Sequence, residues 1–115
     1  MTKTVETLLY TLKPGTGAEF DRIMREVSVP LHDSVEMDVV AYGPSLHDSD
    51  AYFLIRAYDS LDELESSQKV FYQSEDWRSG PRNAIVERIV TSLKVVSDLP
   101  ESAVEALRQT QRKPG

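Results

Sequence analysis

The order of strand and helix signals predicts an α+β fold of the ferredoxin-like, split βαβ type, built on one four-stranded antiparallel sheet. Three observations predict it. Strand-like runs of β-branched, aromatic and leucine residues lie at 4–12, 35–42, 51–58 and 93–97. Helical repeats separate the first run from the second and the third from the fourth. A chain of 115 residues, 40% hydrophobic and 28% charged, holds one core and is not disordered. One domain is expected over 1–99, followed by a short helix and disordered tail over 100–115.

The first strand, Thr4 to Leu12, ends at the turn signal Lys13-Pro14-Gly15. Phe20, Ile23, Met24 and Val27 then recur at helical spacing, with Glu19, Asp21, Arg22, Arg25 and Glu26 on the other face, and Pro30 is expected to end or kink that helix. The second strand, 35–42, closes at Gly43-Pro44. The third, 51–58, is apolar enough to be covered on both faces. Ser60-Leu61-Asp62-Glu63 matches a capping box, so a helix should run to about Tyr72 with Leu61, Leu64 and Phe71 buried and Gln68 among them. Ser74 can cap a short turn holding Trp77. Gly80-Pro81 restarts a helix whose apolar face is Ile85, Val86, Ile89 and Val90. The fourth strand follows at 93–97, and Asp98 with Glu101 would cap a last helix through Leu107. Helices would cover one face of this sheet, and the other needs a second cover, most simply another copy of the chain.

Charge and composition exclude several function classes. A net charge of −6 and a pI near 4.8 argue against nucleic acid or an anionic membrane as partner. The absence of cysteine removes disulfides, thiolate nucleophiles and cysteine-bound metal centres. No apolar run is long enough for a signal peptide or a membrane span, so a cytoplasmic location is expected. No cofactor motif is present: Gly15-Thr16-Gly17 lacks the spacing of a phosphate-binding loop, and neither H-E-x-x-H nor G-x-S-x-G occurs.

Both histidines stand in the repeated tetrapeptide LHDS, at 31–34 and 46–49. The strand between the copies would hold His32 and His47 roughly 30 Å or more apart, which forbids one shared metal ion. No metal site is expected. Asp and Ser favour turns through local side-chain bonds to the backbone, so each LHDS reads first as a turn before a strand. His32, nearer a cleft between helices and sheet, is the better candidate for a catalytic role.

The third strand carries a stronger signal. Tyr52, Leu54, Arg56 and Tyr58 share one face, and an arginine amid such residues is costly unless paired. Glu6, Glu36 or Asp38 could be its partner. Arg56 is then either half of an ion pair or an anchor for an anionic or carbonyl-bearing ligand. Tyr10 and Tyr58 would add hydroxyls to that face, and Trp77 is either a core anchor or the aromatic wall of a cleft with Arg78 or Arg82 at its mouth. Complete pairing of Arg56 with no cavity at Trp77 would favour a protein-interaction dimer.

Four stretches, YTLKPGTGAEF, the third strand running into AYDSLDEL, FYQSEDWRSGPR and the isoleucine-bearing helix after it, together resemble the NIPSNAP family over residues 5–97. The resemblance implies a dimeric α+β barrel in which two ferredoxin-like subunits pack sheet against sheet. It implies little about activity, since small bacterial members are largely uncharacterised. Related barrels include cofactor-independent monooxygenases and haem-degrading enzymes that use a cleft between sheet and helices. The haem-degrading set of Asn, Trp and His is incomplete here, because Asn83, the chain's one asparagine, falls in a helix. The leading expectation is a homodimer binding a small aromatic or carbonyl-bearing molecule through Tyr10, Arg56, Tyr58 and Trp77. The alternatives are a monooxygenase or isomerase using His32 for proton transfer, and a non-catalytic interaction dimer.

Overall fold

Strand β1 (Thr2–Leu12) alternates between two apolar faces, and the sheet is built on that alternation. Thr4, Glu6, Leu8 and Leu12 are buried toward one side and Val5 toward the other. In the computed structural model, which describes residues 1–112, β1 pairs antiparallel with β3 (Ala51–Tyr58) on one edge and with β4 (Ile89–Pro100) on the other. Strand β2 (Asp38–Pro44) lies outside β3, giving the order β2-β3-β1-β4. This is the split βαβ arrangement and the four-stranded antiparallel sheet that the sequence predicts. Register sets Glu6 opposite Arg56 and Leu8 opposite Leu54 on the central pair of strands.

The first helical segment is one rod with a defect. Helix α1 (Gly17–Ile23) runs into a π-helical turn at Met24–Ser28 and then into α2 (Val29–Ser34), which carries Pro30 at its start. Proline lacks an amide hydrogen and its ring crowds the carbonyl four residues back, so the wider turn relieves the clash and the helix continues. Phe20, Ile23, Met24 and His32 are buried, while Val27, expected inside, is 40% exposed. Gly15 and Gly17 donate their amides to the two carboxylate oxygens of Asp50, each at 2.9 Å. A side chain at Gly17 would collide with the Ser49 carbonyl. Only glycine permits that close approach.

Helix α3 (Leu61–Gln73) starts where the capping box places it, with the Ser60 hydroxyl accepting from the Glu63 amide at 3.1 Å. Leu64 and Phe71 are buried, but Leu61 lies 54% exposed in the first turn. Ser74 caps α4 (Glu75–Ser79) through the Trp77 amide, and α5 (Arg82–Val86) is shorter than expected. Ile89 and Val90, assigned by spacing to that helix, instead begin the 12-residue β4.

The last helix changes the architecture most. Helix α6 (Glu101–Arg112) follows β4 without a loop, and its Glu101 amide is taken by the Met1 carbonyl at 3.1 Å. Asp98 is part of β4 and pairs with Thr4, so it is not a cap. The helix continues past Leu107; residues 113–115 of the expected tail lie outside the described residues. Val104 and Leu107 pack on Val5, Val40, Ala41, Ala57 and Leu99, on the sheet face opposite α1–α5, and Arg108 clasps Asp38 with bonds of 2.6 and 2.9 Å. Helices therefore cover both faces in part: the face toward α1–α5 is buried over β1 and β3, and β4 has no buried residue on either side.

Candidate functional site

The helix-side face of the sheet holds a buried polar cluster. Arg56, 1% exposed, is opposite Glu6, also 1% exposed, because both occupy the same phase of neighbouring strands. Arg56 Nε donates to Glu6 Oε1 at 2.7 Å, and its Nη2 approaches the same oxygen at 2.7 Å. Its Nη1 reaches His32 Nε2 at 3.0 Å and the Tyr72 hydroxyl at 2.7 Å. Gln68 donates to Glu6 Oε2 at 2.7 Å and to the Tyr58 hydroxyl at 3.1 Å, and Lys94 adds an ion pair to Glu6 at 3.2 Å. Of the partners offered by sequence, Glu6 takes the arginine, and Asp38 goes to Arg108.

Burial alone would neutralise such charges, but their mutual contacts reverse that. For Glu6, burial pushes the carboxyl up; Arg56, Gln68 and Lys94 outweigh it and hold the group below the usual carboxylate range. Burial likewise opposes the Arg56 charge, which the Glu6 carboxylate and the hydrogen bond to the Tyr72 hydroxyl more than offset. Burial pushes the Tyr10 and Tyr58 hydroxyls up, so both remain protonated.

His32 is locked inside this cluster. Its Nδ1 bonds the Ser28 carbonyl at 2.7 Å, which fixes the hydrogen on Nδ1 and leaves Nε2 as acceptor for Arg56. Burial drives its pKa down to about 4, with Arg56 also opposing the cation. At 2% exposure it is no pocket-rim group. The first LHDS is thus the end of α2, not a turn before a strand. The second is a turn: Asp48 accepts from the Asp50 and Ala51 amides, and exposed His47 bonds Ser45.

The four predicted ligand residues do not share one cavity. His32, Phe71, Trp77 and Tyr72 form a stack, with ring centres 4.4 Å apart for His32–Phe71, 5.4 Å for Phe71–Trp77 and 5.1 Å for Tyr72–Trp77. That stack occupies the space between Trp77 and Arg56, and neither residue lines any of four grooves among the described residues. Tyr10 packs edge-on against Phe20 and borders a groove on the opposite sheet face, while Tyr58 borders a small one beside Lys3 and Asp59.

Tyr72, Lys94 and the bonding role of Gln68 escaped the sequence reading. A glutamine inside an apolar stripe was the available signal, and Tyr72 lies one turn beyond it. Tyr72 is 37% exposed and lines a groove of about 610 Å³. Its hydroxyl accepts from Arg56, and its own proton has no acceptor among the described residues.

No family model matches the sequence, and no curated protein matches it. Solved structures do. An uncharacterized NIPSNAP-like domain protein from Burkholderia xenovorans superposes with a TM-score of 0.76 at 17% identity, over 85% of this chain and 84% of that one. A NIPSNAP family protein of unknown function from Agrobacterium tumefaciens gives 0.76 at 18%, over 84% and 87%. A proposed antibiotic biosynthesis monooxygenase from Nitrosomonas europaea gives 0.63 at 12%, over 82% and 95%. The chain has the NIPSNAP-like fold that its sequence motifs predict. Among the described residues no helix is long and apolar enough to cross a membrane.

Proposed function

We propose that the protein is a NIPSNAP-like homodimer whose principal task is association through the sheet face that α6 leaves uncovered. The carrying observation is an apolar groove of about 590 Å³ on that face, where Leu9, Leu93, Phe53 and Ile55 converge. Leu9 is 49% exposed, Leu93 66% and the neighbouring Val95 62%. Contiguous apolar surface of this kind marks an interaction site, and a second sheet of the same chain is its natural complement. Saturation of Arg56 and the packing of Trp77 against Phe71 and Tyr72 favour this reading over a ligand held deep between sheet and helices. Engagement of both His32 nitrogens likewise disfavours a monooxygenase or isomerase that uses His32 to move a proton.

Native mass spectrometry, compared with the denatured mass, tests the proposal. The protein is expected as a dimer, and Leu93→Glu as a monomer with unchanged circular dichroism, because a buried carboxylate without a partner is costly. A monomeric parent protein sinks the reading. Extra mass lost on denaturation would instead restore a bound small molecule to the account.

A further inference from the structure

The groove beside Tyr72 lies on the helical side of the molecule, away from the proposed dimer face, and nothing in the association reading uses it. It is formed where α3 ends and α4 and α5 begin, and has a volume of about 610 Å³. Its lining is rich in hydrogen-bond donors. Arg78 has no ion-pair or side-chain hydrogen-bond partner among the described residues. Arg82 bonds only the Asn83 side-chain oxygen Oδ1, at 3.1 Å, which leaves the Asn83 side-chain nitrogen Nδ2 free to donate. One carboxylate, Glu75, is present against two guanidinium groups. That local excess of positive charge stands out on a chain with a net charge of −6.

The groove also has a rigid side. Tyr72 is held from behind by the bond from buried Arg56 at 2.7 Å and packs edge-on against Phe71 and Trp77 at 5.2 and 5.1 Å. A fixed aromatic ring next to two arginines suits a ligand with a flat body and an anionic end, since guanidinium groups pair bidentately with carboxylate and phosphate oxygens. We propose that this groove binds the carboxylate or phosphate group of a small molecule, with Arg78 and Arg82 pairing with the oxyanion and Tyr72 forming the wall for its body. The ligand contacts then lie outside the filled cleft, and Arg56 acts by positioning Tyr72.

Titration of the isotope-labelled protein with benzoate, phenyl phosphate and neutral benzamide, followed by NMR, tests this. Saturable shifts at Arg78, Arg82 and Asn83 are expected with an anionic probe, and benzamide should bind about tenfold more weakly. The tighter of the two anions identifies a carboxylate or a phosphate as the preferred group. The exposed double variant Arg78→Ala, Arg82→Ala should keep the parent spectrum elsewhere and lose about tenfold in affinity for the anionic probe. Equal binding of benzamide and the anions, anion binding indifferent to the double variant, or no shift with any probe would each overturn the inference. None of these outcomes depends on whether the protein is a dimer.

Discussion

Arg56 keeps its charge where water cannot reach it, and the residues around it share the consequences. Its fork is filled by Glu6, His32 and Tyr72, and burial among these groups shifts the titration of Glu6 and His32. For His32 the sign follows directly: its folded pKa, about 4, lies below the ordinary value of 6.5, so the unfolded chain binds the proton first. Its stabilising contribution is complete above about pH 6.5 and is lost as the pH falls toward 4, with a limiting slope of about 1.4 kcal/mol per pH unit. Glu6 contributes acid sensitivity only lower, because its folded pKa lies below the carboxylate range. Urea unfolding between pH 7 and 5 is expected to show declining stability, and His32→Gln should flatten that decline. A slope unchanged by the substitution would remove His32 as its source. That Arg56 needs a carboxylate was legible in the sequence, since an arginine in an apolar strand is costly unless paired, but Glu6, Glu36 and Asp38 all qualified, and only the register of β1 against β3 selects Glu6. The contact with His32 was not, because a π-helical turn resets which residues of the helix face the sheet.

Elements with one dominant period were readable, and those satisfying two periods were not. Strand β3 and the start of α3 lie where alternation and the capping box put them. Ile85, Val86, Ile89 and Val90 fit a helical stripe equally well, yet the latter pair serve β4, whose pairing with β1 decides the matter. Asp98 followed by Glu101 has the spacing of a cap, but long-range strand pairing overrides it. The end of α2 carries a local cost of its own. Glu36 has a φ of +61°, in the left-handed region, while the Met37 amide bonds the His32 carbonyl at 3.0 Å to close the helix. Glycine adopts that conformation without the steric penalty of a Cβ. Glu36→Gly is therefore expected to stabilise the protein by about 0.5–1 kcal/mol. The measurement is a shift of the urea midpoint at constant slope, and a lower midpoint would show that the glutamate side chain contributes more than the backbone strain costs.

At the scale of the molecule, the second sheet face is divided between the chain's own α6 and whatever covers the rest. The sequence showed that this face needed a cover, because β3 is apolar on both sides, but it could not show that a helix would cross over to supply part of it. That depends on β4 running four residues longer at its start than its apolar centre suggests, and on ending at Pro100 directly beside Met1. The division makes α6 structural. Burial of Val104 and Leu107 against Val5, Val40 and Ala57 contributes about 3 kcal/mol or more, whereas the Arg108 and Asp38 pair, partly exposed, contributes under about 1 kcal/mol. A chain ended after Leu99 should lose most of this stability in urea unfolding and bind an apolar dye such as ANS, while Arg108→Ala in the full chain should change little. If the ion pair held the helix in place, the two variants would behave alike. Equal stability of the shortened and full chains would instead mean that the apolar surface beneath α6 is covered by the partner as readily as by the helix, enlarging the dimer face across the whole sheet.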